Sequence, residues 1–337
     1  MPNLYRLKIS VWCIPMDDHQ WKQIIINYLP KLKVFQSRMM ISFGKNDDTE
    51  ENLDRLIDSY RTLFWLDEHQ WLVCCHWCLH DNSHMLFLYT LPYTFPEFYS
   101  IITILTKSTC LHESDYVVCN HVHQFSHELP KFQLSTSSQI HFPYIRHLSI
   151  ILPSEKCLWS TIPTFDHLIS LNVMYKTVDV GNNQVRSQLQ ALLDRAPHLY
   201  SLKITSLPCF QMLVVDIRSS TLRRLDLQEY DACLYDERWF NDDQCVRLCH
   251  SLIVKQCEVL RIRVEHRTSI LDLINRMINL RALEFECSDD RWHKCCVFPS
   301  LLDDEYVEWL TDRMPSTWNI TRNTRLIDSV QHLACRN

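Results

Sequence analysis

Glycine is almost absent from this chain of 337 residues, which contains only Gly44 and Gly181. A P-loop, a dinucleotide-binding fingerprint and a nucleophile elbow each need several glycines at fixed spacing, because the backbone must approach a phosphate or turn sharply. None of these motifs fits the sequence. The scarcity of glycine therefore excludes most nucleotide-dependent enzymes and the common hydrolase folds.

Long apolar runs, a secretory leader and clusters of basic residues are also missing. No apolar run reaches the roughly 18 residues that a membrane helix needs, and the start, MPNLYRLKIS, lacks the apolar region of a signal peptide. Lysine and arginine are scattered through a chain of formal net charge −6, so the composition gives no nucleic-acid footprint. We therefore expect an intracellular protein, cytoplasmic or nuclear, without a membrane or nucleic-acid partner.

Cysteine, in contrast, is abundant, with 16 residues in a chain that is 46% hydrophobic. A long chain with ample core residues and no secretory leader is expected to keep its thiols reduced. Because a trio of cysteine, histidine and aspartate can always be drawn from such a composition, their co-occurrence gives no argument for catalysis. The sequence predicts a non-enzymatic protein without a cofactor.

A hexamer pattern, Leu-x-x-Leu-x-Leu with aliphatic substitutes, recurs along the chain. Clear copies begin at Leu4, Ile145, Leu168, Leu199, Leu222, Cys257 and Leu280, and weaker copies begin at Leu32 and Val122. Alternating apolar residues at the end of each hexamer predict a short strand. Apolar residues with helical spacing lie between several hexamers and predict helices. These helical stripes contain Trp21, Ile24, Ile25 and Tyr28; Leu53, Leu56, Ile57 and Tyr60; Leu189, Leu192, Leu193 and Ala196; Cys245, Leu248, Cys249 and Leu252; and Ile270, Leu273, Ile274 and Met277.

The repeated alternation of strand and helix predicts an α/β fold of the solenoid type, in which each repeat buries its apolar face against its neighbours. We expect a single leucine-rich-repeat-like unit over residues 1–337. Its short parallel strands would form a concave face and its helices a convex face.

The pattern resembles the leucine-rich-repeat horseshoe of a large family of F-box/leucine-rich-repeat proteins. Segments that carry the resemblance include MPNLYRLKI, FPYIRHLSI, FDHLISLNV, LQALLDRAPHLYSLKI, CEVLRIRVEHRT and MINLRALEFEC. The resemblance implies a scaffold that binds a protein partner on its concave face, as in substrate recognition for an SCF-type ubiquitin ligase. Family members typically open with an F-box that docks onto a Skp adaptor. This chain starts inside the first repeat strand, at Leu4, so a Skp-type adaptor is expected only if an F-box exists upstream.

Residues 65–135 interrupt the repeat period. Two apolar runs, at about 70–78 and 85–91, are separated by a polar turn, and this arrangement predicts a β-hairpin inserted into the solenoid. The aromatic and proline-rich stretch that follows, LPYTFPEFYS, is predicted to be an ordered loop.

The strand positions between the leucines should face the concave surface, because side chains alternate along a strand. These positions are polar and locally basic from Lys203 to Arg263. Aligned guanidinium groups could bind carboxylates or phosphates through two hydrogen bonds at once. We therefore predict a partner-binding surface formed by His147, Asn172, Lys203, Arg224, Asp226, Arg261, Arg263 and Glu284. The alternative is a solvated sheet face whose charges only keep the protein soluble.

The segment CCHWCLHDNSH, residues 74–84, offers a second hypothesis, because thiols and imidazoles are zinc ligands. In a strand, however, the residues divide by parity: Trp71, Val73, Cys75, Trp77 and Leu79 share a face that is predicted to be buried, and Cys74, His76, Cys78 and His80 share the other. Four residues in one line cannot close a tetrahedron. A zinc-binding or metal-sensing protein therefore requires a second strand alongside, such as residues 121–127.

Overall fold

The computed structural model describes residues 3–12, 16–43, 49–80, 83–100, 102–110, 120–127, 141–153, 162–175, 182–205, 217–228, 239–288, 303–323 and 331–336. The chain divides into two compact units, where the repeat pattern predicted one. The first unit comprises Met1–Ile145 with Glu155–Thr164, and the second comprises Arg146–Ser154 with Phe165–Asn337.

The first unit is built around a five-stranded mixed sheet. Its elements are β1 (Arg6–Trp12), α1 (Asp18–Tyr28), β2 (Val34–Phe43), α2 (Thr49–Ser59), β3 (Leu72–His80), β4 (Ser83–Leu91), β5 (Glu97–Ser100), β6 (Ile102–Ser108) and β7 (Gln124–His127). The strand order is β1-β2-β4-β3-β6, in which β1 and β2 are parallel and the other neighbours are antiparallel. Separately, β5 pairs with β7 in parallel. The predicted hairpin corresponds to β3 and β4, which supply two of the three inner strands of this sheet.

Helix α1 shows how the sequence directs local structure in this unit. Asp17 caps it, because its carboxylate accepts the Gln20 backbone N–H at 2.7 Å while the Gln20 side chain accepts the Asp17 N–H at 3.1 Å. Trp21 and Ile25 then share the buried side of the helix, as their spacing predicted. They pack into a core with residues of β2, α2 and β3, including Phe35, Met39, Leu53, Ile57, Val73, Cys75 and Trp77.

A chain with so little glycine must build its turns from other residues. Among the described residues, only Gln70 has a positive φ, at 56°. It follows a π-helical turn, Phe64–Glu68, and the Trp71 N–H bonds back to the Trp65 carbonyl at 2.8 Å. This is the helix end that glycine usually forms, and the left-handed backbone costs a residue with a Cβ atom about 1 kcal/mol.

The second unit contains the regular part of the repeat. Its elements are β8 (His147–Leu152), β9 (Ser170–Tyr175), α3 (Asn182–Arg195), β10 (Ser201–Thr205), β11 (Arg224–Asp226), α4 (Asp242–His250), α5 (Leu252–Gln256), β12 (Val259–Val264), α6 (Arg267–Arg276), β13 (Ala282–Cys287), α7 (Asp303–Arg313), β14 (Trp318–Asn323) and β15 (Gln331–Arg336). Strands β8 to β13 lie side by side in chain order, all parallel. Strand β15 then pairs with β13 in the antiparallel sense, and β14 pairs with β15.

The helical stripes predicted for this unit bury most of their apolar residues. All four apolar residues of the α3 stripe and all four of the α6 stripe are buried. The α4 stripe is interrupted, because the helix ends at His250 and leaves Leu252 53% exposed. The prediction of an α/β fold with a parallel sheet and helices is therefore confirmed. None of the described helices combines the length and the apolar character that a bilayer crossing requires.

Candidate functional site

The leucines of the repeat stand in one line across the second unit. Each is the register partner of the next, and their exposed fractions do not exceed 2%; we call them the leucine ladder: Leu148, Leu171, Leu202, Leu225, Leu260 and Leu283. Because six strands present the same buried position at the same register, the residues that follow them also align. The hexamer pattern therefore fixes which polar side chains become neighbours.

The next position on each strand forms a second line, which we call the polar ladder. Its members are Ser149, Asn172, Lys203, Asp226, Arg261 and Glu284. All except Asp226 are partly exposed. Neighbouring strands lie about 4.8 Å apart, so six polar groups follow one another over about 24 Å. The polar ladder contains five of the sequence-predicted partner-binding residues, and Arg224 and His147 lie beside it at the strand starts.

Ion pairs hold the charged end of the polar ladder in place. Arg261 Nη1 lies 3.4 Å from Asp226 Oδ2, and Arg261 Nε lies 3.2 Å from Glu284 Oε2. Arg224 Nη2 is 3.6 Å from Glu284 Oε1. The Asp226 carboxylate also accepts the backbone N–H of Gln228 at 3.0 Å. Two arginines and two carboxylates thus compensate one another, so this end is not the basic surface that the sequence predicted.

Arg263 is a further correction, because its side chain is only 7% exposed. Its Nε donates to Glu286 Oε2 at 2.9 Å, and its guanidinium lies 5.9 Å from the Trp239 ring centroid. The backbone beside Trp239 pairs with this strand, since the Phe240 N–H donates to the Arg263 carbonyl at 2.9 Å. A segment of the connection that precedes this strand therefore covers Arg263, and the predicted surface arginine is half of a buried ion pair.

At the other end of the polar ladder, from Ser149 to Lys203, the side chains make fewer contacts within the protein. Asn172 Nδ2 donates to Ser149 Oγ at 3.0 Å, while Asn172 Oδ1 is buried and has no hydrogen-bond partner among the described groups. His147 is exposed, and no ion pair within the described part of the chain involves Lys203. Around Lys203, the polar ladder therefore keeps one positive charge and several hydrogen-bonding groups at the surface.

The structure also places the predicted metal ligands of β3. Both His76 nitrogens face hydroxyl groups: Nδ1 lies 2.9 Å from Thr106 Oγ1, and Nε2 lies 2.8 Å from Tyr89 Oη. Burial lowers the pKa of His76 to about 4 and raises the pKa of Cys74 to about 11. The side chains of Cys78 and His80 lie outside the described residues. In the part of the chain that the structure describes, no group of three or more histidine, cysteine and acidic side chains could hold a metal ion.

The surroundings of this hairpin differ from the sequence analysis in three respects. The face that carries Cys74 and His76 is buried, because Phe98 packs 6.1 Å from the His76 ring and Tyr93 packs 4.9 Å from the Tyr89 ring. Part of the predicted aromatic loop is in fact β5, which supplies Phe98. Residues 121–127 do not lie alongside β3 either, because β3 pairs with β4 and β6 on its two edges and β7 pairs with β5.

Burial also affects the cysteines that a catalytic hypothesis would use. It raises the pKa of Cys245 and Cys257 to about 12 and that of Cys249 to about 11, and it raises the pKa of Cys75 further still. These thiols are protonated at neutral pH, whereas the nucleophile in cysteine chemistry is the thiolate. They behave as small core residues.

A row of exposed or partly exposed residues beside the strand starts was not identified in the sequence analysis. It consists of the second residue of each of the six hexamers: Arg146, Ile169, Tyr200, Arg223, Glu258 and Arg281. We call it the edge row. The signal that could have found it is the alignment of the hexamers themselves, since any shared hexamer position forms a line across the sheet.

Comparison with known proteins gives no further guide. No family model matches the chain, and no curated protein matches it at a significant level.

Proposed function

We propose that the second unit is a protein-interaction module, a leucine-rich-repeat-like solenoid that binds a protein partner without catalysing a reaction. The observation that carries the proposal is the strict register of the six parallel strands. It buries one leucine per strand and presents one polar side chain beside it. Repeat proteins use such aligned strand positions as extended binding surfaces.

We propose different roles in partner binding for the two ends of the polar ladder. At the Arg261 end, ion pairs fix the side chains before a partner arrives, so little side-chain freedom is lost on association. Around Lys203, a positive charge and the polar groups of the partly exposed Ser149 and Asn172 are presented to a partner's carboxylate and other polar groups. We therefore place the specific contacts between His147 and Lys203 and treat Arg224, Asp226, Arg261 and Glu284 as a fixed border.

The resemblance to F-box/leucine-rich-repeat proteins extends this proposal to a biological context. In that family the repeat surface recognises substrates for an SCF-type ubiquitin ligase. We propose the same context here, and it predicts that a Skp-type adaptor co-purifies with the protein from cells if an F-box is encoded upstream of Met1. A protein that binds partners without any such adaptor would leave the interaction module in place and remove the ligase context.

The proposal is tested with charge-reversal variants and affinity capture. Lys203→Glu is expected to remove a defined set of partners and to weaken binding of a purified partner by at least about tenfold, measured by titration calorimetry. Lys255→Glu is the matched control, since Lys255 is exposed on α5 and the charge change is identical. Arg263 is unsuitable, because its replacement would disturb a buried pair. Identical partner sets for wild type and Lys203→Glu would overturn the proposed site.

A further inference from the structure

The edge row is held together by a regular backbone pattern. The carbonyl of Arg146 accepts the N–H groups of Ile169 and Ser170, at 2.8 and 3.0 Å. The carbonyl of Ile169 accepts those of Tyr200 and Ser201 in the same way, at 2.9 and 3.0 Å, and the pattern repeats from Tyr200 through Arg223 and Glu258 to the strand start after Arg281. Because each residue bonds to the next, edge-row neighbours are separated by one strand spacing of about 4.8 Å.

The second and third residues of the edge row, Ile169 and Tyr200, have apolar side chains. Ile169 is 39% exposed and Tyr200 is 44% exposed, although both are large hydrophobic residues. Single exposed apolar residues are common on protein surfaces. These two, however, are direct neighbours along the edge row, so they form one continuous apolar patch at the start of β9 and β10.

Positive charge flanks this apolar patch on both sides. Arg146 is exposed, and no ion pair within the described ranges involves it. Arg223 lies 3.5 Å from Glu258, which is also 3.5 Å from Arg281, so one carboxylate serves two guanidinium groups. The edge row thus carries three arginines and one glutamate, a net charge of +2 on a chain whose formal net charge is −6. A row that is positive, apolar, apolar and positive is complementary to a ligand with two acidic groups around an apolar one.

The spacing selects the conformation of such a ligand. Arg146 and Arg223 are three strand spacings apart, about 14 Å, with the apolar patch centred at about 7 Å. An extended peptide rises about 3.3 Å per residue, so residue i+2 reaches about 7 Å and residue i+4 about 13 Å on the same side. In a helix, residue i+4 is only about 6 Å from residue i. A five-residue segment therefore reaches both arginines only when it is extended.

We propose that the edge row binds an extended acidic segment of a partner protein with the pattern acidic-x-apolar-x-acidic. The two acidic side chains bind Arg146 and Arg223, and the apolar side chain packs on Ile169 and Tyr200. The inference rests on the proposed function in taking the partner to be a protein. A nucleic-acid backbone fits less well, because it presents a charge at every step while the two central positions are apolar.

Synthetic peptides test this pattern directly. The probe is a fluorescein-labelled Gly-Glu-Ala-Phe-Ala-Glu-Gly peptide, and fluorescence anisotropy measures its binding to the full chain. Moving the second acid to give Glu-Ala-Phe-Glu, replacing both acids by glutamine, or replacing phenylalanine by serine should each weaken binding at least about fivefold, as should raising the salt from about 0.05 to 0.5 M.

Variants of the protein then locate the site. Arg146→Glu and Tyr200→Ser are each expected to weaken peptide binding by about tenfold. The matched controls Lys255→Glu and Leu252→Ser change exposed residues of α5 and should leave peptide binding within about twofold of wild type. Thermal unfolding of all four variants shows that the protein is folded in each case.

Three results would overturn the edge-row proposal. The first is equal binding of the correctly spaced and shifted peptides. The second is binding of a fifteen-nucleotide oligothymidine that depends on Arg146 while the peptide does not bind, which would assign the edge row to phosphate backbones. The third is no peptide binding at all while Lys203→Glu still removes partners, which would leave the polar ladder as the only site. If peptide binding depends on Arg146 but Lys203→Glu changes no partner, the polar ladder fails and the edge row is supported.

Discussion

Acidification should destabilise the first unit through His76, a residue in the middle of the β3–β4 hairpin. Its imidazole is buried, and its two nitrogens face the hydroxyls of Thr106 and Tyr89. Neutral imidazole has one donor and one acceptor, and hydroxyl groups can satisfy either tautomer. The cost of protonation therefore comes from bringing a charge into a buried site, which lowers the pKa of His76 to about 4.

The sign and size of the effect follow from this shift. The pKa is lower in the folded state than the ordinary value of 6.5, so the stabilisation is fully present above pH 6.5 and is lost as the pH falls towards 4. At about 1.4 kcal/mol per pKa unit, lowering the pH from 7 to 4.5 should cost about 2.4 kcal/mol through this residue. That corresponds to about a sixtyfold increase in the opening equilibrium.

Hydrogen exchange of peptides from β3 and β4 measures this opening, with His76→Gln compared with wild type at the same pH so that intrinsic exchange rates cancel. The protection of wild type relative to His76→Gln should fall about sixtyfold between pH 7 and pH 4.5. His121→Gln is the control, because His121 is an exposed histidine of the same unit. It should show no such change.

A wild-type to His76→Gln ratio that stays within twofold at both pH values would refute the reasoning. It would mean that the imidazole titrates as in solvent, and therefore that the aromatic cover over β3 does not exclude water. The result does not depend on how much the substitution costs at neutral pH, since only the change with pH is compared.

Three further predictions follow from burial and coordination. Arg263→Met should lower the free energy of unfolding by about 3–5 kcal/mol, because the Glu286 carboxylate stays buried without this partner. Adding Glu286→Leu should restore most of that loss. Hydrogen exchange of β12 peptides measures both variants, and additive effects of the two substitutions would contradict a coupled pair. Leu225→Ala should lower stability by about 2–5 kcal/mol, whereas Leu252→Ala at an exposed position should cost under about 0.5 kcal/mol in the same denaturation assay; equal costs would contradict the leucine ladder. After zinc loading and dialysis, the reduced protein should retain less than about 0.2 equivalents of zinc by elemental analysis. A structural zinc site would keep its metal through dialysis, so one full equivalent would support the metal hypothesis.

The second unit could be predicted largely from sequence because its burial is a property of single hexamers. Alternation within each hexamer decides which side chains face inward, so Leu148 and Leu283 could be assigned to the core without knowledge of their neighbours. The ion pairs were also present in the pattern, since Asp226, Arg261 and Glu284 share one hexamer position. The prediction of a basic surface considered the arginines and not the carboxylates of Asp226 and Glu284 that pair with them.

The first unit was harder to predict because its order depends on contacts between distant residues. Nothing near His76 in the sequence shows that Phe98 will cover it, and parity alone predicted burial only for the opposite face, which carries Cys75. The same reason explains Arg263, whose cover comes from Trp239 and Phe240. Whether the second face of a sheet is buried depends on which other segment of the chain packs against it. The local sequence pattern of a strand does not show which segment that is.

The strand order also bears on how the second unit folds. From β8 to β13, every strand pairs with the strand that precedes it in the chain, so each step closes only the connection between two successive strands. The entropy lost in closing such loops is small, and a nucleus can grow by adding one strand at a time. In the first unit, by contrast, the strand order β1-β2-β4-β3-β6 differs from the chain order. Strand β4 pairs with β2, and β3 becomes an inner strand only when β6 pairs with it. During synthesis, the second unit can therefore assemble progressively as each hexamer emerges, while the first unit must wait for β6.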